Sequence, residues 1–229
     1  METTFLCLNI HGENLTLESG NPVFPQLDTE RTLTLTASDE LNILSTIQDP
    51  NLNLKLIAKN ITIGKEDSTI SLGGNNGLKS INITTSGTEL TDGLHLYSGM
   101  KAIENINIGS KITYHGNTDT NEIILTTNGD TGSITFQDDF KTIADGIGDN
   151  LILESNTITL SAVEGLGKVD FNANNIMLNG NIKADTIKTT GGGNLYLMKD
   201  ITLFSSDIDF RNISIASLIS SSNQGYSLS

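Results

Sequence analysis

Tryptophan is absent from the 229 residues, and only 4 tyrosines and 7 phenylalanines are present. With so few large anchors, any core must be thin and aliphatic. The single cysteine, Cys7, excludes an internal disulfide framework and any metal site built on paired cysteines. Proline occurs at Pro22, Pro25 and Pro50 and nowhere later. Basic side chains are scarce, 13 against 27 acidic ones, for a net charge of −14. Nucleic-acid binding needs a basic footprint that displaces counterions, so no nucleic-acid partner is expected. Anionic membranes are disfavoured for the same reason. The apolar run Phe5–Leu8 is far too short to span a bilayer, and no basic stretch precedes it. Neither membrane insertion nor a secretory signal is therefore expected. A sustained helical period is also missing. Residues 138–147 alone read as a turn or two of helix, closed by Gly146 and Gly148.

What is present is alternation with a period of two, repeated along the chain. Leu6, Leu8 and Ile10 begin it. Leu33 and Leu35, Ile61 and Ile63, Ile106 and Ile108, Ile158 and Leu160, and Ile213 and Ile215 continue it. Thr, Asn and Ser fill the positions between. The chain carries 28 Leu and 28 Ile but 3 Val. Each unit reads as a very short strand with one apolar face. Gly73–Gly77, Asn128–Asp130, Asn179–Asn181 and Gly191–Asn194 supply turn residues that tolerate positive φ.

These units hold two or three inward residues each, too few to close a globular core alone. Stacking makes them useful, because each layer covers the next. The expected fold is all-β: an elongated β-solenoid, or an intertwined trimeric β-helix or β-prism of short strands. Irregular spacing fits a trimer at least as well as a single-chain coil, with three chains each lending a short face to one narrow core. Ile176 is then a core position and Asn175 its outward neighbour. The prolines place an irregular, anchoring segment at 1–50, with Thr4–Ile10 and Asn21–Gln26 as the anchor. A repetitive β body at 51–190 follows, and then a C-terminal β region and polar tail at 191–229.

The stretch Asn172–Ile187 resembles the apolar-x-Gly-x-Ile-x-Ala phrases of viral fibre and tail-spike shafts, and Asn60–Gly64 and Asn105–Gly109 have the same flavour. The resemblance covers most of 51–215 in style, with no diagnostic motif. It implies an elongated, trimeric structural protein of a virion, such as a phage tail fibre or a fibre of a large virus.

Candidate chemistry is sparse. His11, His95 and His115 show no metal spacing, and a Cys7–His11 pair needs two more ligands. His95 or His115 on a trimer axis is a second route to a metal. The carboxylate neighbours Asp39–Glu40, Glu66–Asp67 and Asp138–Asp139 point to opposite faces of a strand, which suits turns better than acid–base catalysis. Asp207 and Asp209 share a face. Glycan-cleaving enzymes place carboxylates on such faces, but they add Arg and aromatic platforms that are rare here. Gly191–Gly193 lacks a phosphate-loop ending and reads as a kink or a flexible joint. Gly129–Gly132 is a plain turn or a calcium turn. The sequons at Asn14, Asn60, Asn82 and Asn212 read as outward strand residues, and residues 220–229 as a frayed tail.

No catalytic, cofactor-binding or metal residue is assigned, and no cofactor or enzymatic activity is expected. The expected function is a structural virion protein, a fibre, spike or tail component in particle architecture or host attachment. Its expected partners are copies of itself as a homotrimer, other virion proteins, and a host-surface glycan or receptor. It would be assembled in the host cytoplasm and reside in the virion. The alternatives are a single-chain β-solenoid that binds or cleaves glycans, and a minor capsid or cement protein.

Overall fold

A computed structural model describes residues 7–18, 28–66, 70–89, 91–115, 122–127, 130–137, 142–144, 149–211, 213–217 and 229. Among these the protein is all-β with no helix, and its 18 strands belong to one sheet. In chain order they are β1 Cys7–Glu18, β2 Arg31–Leu44, β3 Asp49–Ala58, β4 Asn60–Ile63, β5 Leu78–Thr85 and β6 Gly93–Leu96. Then come β7 Met100–Gly109, β8 Ile112–Tyr114, β9 Glu122–Thr127, β10 Ser133–Phe136, β11 Thr142–Ala144 and β12 Asn150–Leu160. The last six are β13 Val163–Leu178, β14 Ile182–Thr189, β15 Gly193–Leu197, β16 Leu203–Phe204, β17 Asp207–Asp209 and β18 Ile213–Ser217.

Every ladder is parallel, and the registers align like with like. Leu8 pairs with Leu33, then Leu54, Ile81, Ile106, Ile134, Ile158, Ile176 and Leu195 in one column. The same register reaches Ile215. Successive partners lie between 18 and 28 residues apart. At about 4.8 Å per strand step, these ten levels rise roughly 43 Å. A second column runs through Leu15, Leu41, Ile61, Leu94 and Ile112. A third runs through Met100, Leu125, Leu153 and Phe171. Irregular spacing thus lives in the connections, where loop length costs little, and not in the ladders.

The columns make one continuous aliphatic core, and the chain buries it by itself. Ile176, assigned from the alternation to a core shared by three chains, is buried by the chain's own neighbouring coils. Between the columns, outward Asn, Ser and Thr side chains bond from level to level. Asn107 Nδ2 donates to Asn82 Oδ1 at 2.9 Å, and Ser133 Oγ to Asn105 Oδ1 at 2.8 Å. Such ladders satisfy amides along a parallel stack, which accounts for the polar half of the alternation.

Several expectations change. Strands are not uniformly short: β2 has 14 residues and β13 has 16. Each spans two apolar units, because the chain turns a corner without leaving its ladders. β2 pairs with β3 over Arg31–Thr36 and with β4 over Glu40–Ile43. Residues 7–18 and 31–44 are therefore strands, paired with a register shift between Gly12 and Asn14, and ladders run across residues 50 and 190. Pro50 lies inside β3, where the register to β5 shifts between Asp49 and Asn53, as a residue without an N–H requires. Of the kink and the flexible joint, the chain shows a bend at Thr190–Gly191, and Gly193 opens β15. A Cβ on Gly193 would lie 2.4 Å from the Asn174 carbonyl oxygen, so the backbone is packed directly on the coil before it. Within 138–147, Thr142–Ala144 is a strand, and the rest lies outside the described residues.

Candidate functional site

The second column places its outward residues on one wall. β2, β4, β6 and β8 carry Asn42, Thr62, His95 and Thr113 in one register row. A cleft of about 280 Å³ opens on this wall, lined by Glu40, Asn42, Asn60, Thr62, Thr91, His95 and Tyr97. Outward Asn and Thr come from the alternating pattern. The rings come from His95 within β6 and from Tyr97 and His115, directly after β6 and β8.

Tyr97 and His115 follow directly after Leu96 and Tyr114, which are register partners. Their rings therefore stack, with centroids 4.2 Å apart and planes within 5°. The ladder continues through both residues, since Tyr97 N–H donates to Ile63 O and His115 N–H to Leu96 O, each at 2.9 Å. His95 Nδ1 lies 3.0 Å from His115 Nε2, and His95 Nε2 lies 3.1 Å from Thr91 O. The rim is fixed by Asn60 Oδ1, which accepts from Gly93 N–H at 3.1 Å. Behind it, Asp92 accepts from Glu89 N–H at 2.9 Å and faces Lys59 Nζ at 3.5 Å. The Glu89 N–H first, and then the Lys59 charge, hold the Asp92 carboxyl below the usual carboxylate range. The wall thus offers amides, hydroxyls, a carboxylate and one half-buried aromatic ring with a fixed orientation.

Two further grooves are less equipped. One is polar, beside Thr126, Glu154, Asn156 and Asn174, where Thr126 Oγ1 donates to Glu154 Oε2 at 3.2 Å. The other is more apolar, beside Val163, Lys183 and the exposed Phe204.

The residues singled out in the sequence are dispersed. Cys7 and His11 are exposed on β1. No group of three or more His, Cys, Asp or Glu able to hold a metal exists among the described residues. Asp39 is half-buried, whereas Glu40 is exposed and its N–H donates to Asn14 Oδ1. Glu66 is exposed on a turn; Asp67, Asp138 and Asp139 lie outside the described residues. Asp209 is taken up by Arg211, whose Nε donates to its Oδ2 at 2.7 Å, and Asp207 is exposed beside it. Asp130 and Thr131 form an exposed turn, and Gly132 O accepts from Ser155 Oγ. Asn14, Asn60 and Asn82 lie on strands as expected, with Asn14 exposed and the other two half-buried. Asn212 and residues 218–228 lie outside the description.

His95 and His115 are the exception, 20 residues apart in sequence and adjacent in space. From the sequence, His95 and His115 were read only as candidate metal ligands and Asn60 only as an outward sequon residue, while Tyr97, Asn42 and Thr62 were missed. Only the coil length between β6 and β8 reveals that these residues meet. A comparison with family models, with curated proteins and with solved structures found no match.

Proposed function

We propose that the protein is a structural, non-enzymatic element of a virion fibre or spike, built as a single-chain β-solenoid. The observation that carries this reading is the ten-level parallel register over a continuous, mainly aliphatic core. Such a stack resists deformation along its whole length, and each coil needs only its neighbours. The proposed assembly is a homotrimer of complete solenoids, since each chain closes its own core. Large exposed apolar side chains support end contacts with copies or other virion proteins. Leu8 and Ile10 stand at one end of the stack, and Met198, Phe204 and Ile208 near the other. Light scattering on a sizing column, paired with electron microscopy, tests this. Rods with three times the 24.5 kDa chain mass are expected. A compact monomer at every concentration overturns it.

The cleft favours a second reading, attachment to a host-surface glycan. Tyr97 offers a ring pre-oriented by His115, flanked by Asn42, Asn60, Thr62 and Glu40. Sugars are held by aromatic stacking and by amide and carboxylate hydrogen bonds of this kind. A glycan array should show binding that Tyr97→Ala abolishes, and no binding to any glycan defeats the reading.

A further inference from the structure

A glycine interrupts the outward face beside the cleft. Ile43, Ile63, Leu96 and Tyr114 are register partners, and Leu44, Gly64, Tyr97 and His115 follow them directly. The N–H groups of Gly64, Tyr97 and His115 donate to Ile43 O, Ile63 O and Leu96 O at 3.0, 2.9 and 2.9 Å, so these residues keep the ladder's step. Steps are about 4.8 Å apart. One step holds one stacked ring, as Tyr97 and His115 show with centroids at 4.2 Å and planes within 5°. The two faces of Tyr97 therefore look along the stack, one toward His115 and the other toward the step of Gly64. Gly64 puts no side chain there. A Cβ on it would lie 3.3 Å from Tyr97 Cβ and 2.7 Å from Ser98 Oγ, and its φ of +81° suits glycine. The cleft opens on that same side: its described lining comes from the levels of β2, β4 and β6, and none from β8.

We propose that the Gly64 step is a single-ring subsite and that it takes an uncharged sugar. A neutral pyranose would stack on Tyr97 where a side chain at position 64 would stand, with its hydroxyls turned to Glu40, Asn42 and Thr62. This rests on the glycan-attachment reading of the cleft and adds which sugars pass. Charge selects the class. Among the described residues no Lys or Arg lines the cleft, and Glu40 is exposed at its edge. Lys59, ahead of Asn60, faces Asp92 at 3.5 Å, and Lys111, ahead of β8, donates to Glu89 O at 3.3 Å. A carboxylate accepts hydroxyl hydrogens from a neutral sugar in short, charge-assisted bonds. A sialic acid or a sulfated sugar would instead bring a second negative charge beside Glu40. The net charge of −14 adds to that repulsion.

An array of matched glycans tests this with the full chain, each neutral glycan printed beside its sialylated or sulfated form. Binding to neutral members is expected, with acidic partners weaker by about tenfold or more. Glu40→Gln keeps the shape and removes the charge, and should narrow that gap to about threefold or less. Thr62→Trp sets a bulky ring beside the Gly64 step and should abolish binding, in a variant whose circular dichroism matches that of the unaltered chain. Equal or stronger signals on the acidic members, or a gap unchanged in Glu40→Gln, overturn the neutral-sugar assignment and leave the attachment reading standing. Binding that survives Thr62→Trp overturns the subsite in the same way. Silence on every glycan removes the attachment reading and this inference with it.

Discussion

The middle of the stack and its two ends are written in the same alternating pattern yet behave differently. Ile61, Ile106 and Ile158 in the middle have no accessible surface. At the ends, Leu8 is 46% exposed, Ile208 46% and Phe204 55%. Leu8 belongs to the same register column as Ile106 and Ile158. Alternation therefore sets which way a side chain points, and burial depends on a coil lying on both sides. Among the described strands, β1, which carries Leu8, pairs with β2 alone.

The comparison is sharpest for a buried polar substitution. Ile176→Asn in the middle leaves a cavity and an unpaired amide, for an expected loss of about 5 kcal/mol in urea denaturation. The same change at Ile208 should cost under about 1 kcal/mol, in line with ordinary surface positions. Asn175→Ser, beside Ile176 on the outward face, should be close to neutral. Equal losses at Ile176 and Ile208 would erase the distinction between middle and end.

Ion pairs divide in the same way. Arg31 and Asp49 form a buried pair where β2 and β3 begin, and Asp49 is 1% exposed. Arg31→Met strands that carboxylate and should cost about 4 kcal/mol. Arg211, paired with Asp209 on the last coils, is largely exposed. Arg211→Met should leave the denaturation midpoint unchanged, because exposed pairs are screened and gain little.

Acid should find the middle through Asp92. Its carboxyl is held below the usual range, so its contribution is full above the ordinary carboxylate pKa and is lost as pH falls through the lowered value. Asp92→Asn should flatten the acid limb of the stability profile. An unchanged limb would show that the Glu89 N–H bond does not favour the ionised form. The smallest effect is expected at the first strand. Leu8→Glu should barely alter unfolding but should weaken any association through that end, read as a drop in mass by light scattering.

Much of this fold was legible in the residues. Inward Leu and Ile and outward Asn, Ser and Thr were assigned correctly along most strands, because side-chain direction on a strand is a local property. Three points were not legible. Pro50 suggested irregular chain, but a register shift accommodates it within β3. Gly191–Gly193 suggested a kink or a flexible joint, and not that Gly193 would pack closely on Asn174 and Gly191 on Asn172. The cleft was invisible because Asn42, Thr62 and His95 come from three coils, and their meeting depends on the register between them.

The sequence alone determined the strand class, the aliphatic core and the polar outer face, because these follow from neighbours one and two positions away. The tertiary structure decided that strands 18 to 28 residues apart stay in parallel register, and that His95 meets His115 beside Tyr97. Those outcomes depend on how far each connection carries the chain before it rejoins the ladder. Loop entropy changes only slowly with length, so residue spacing does not specify them.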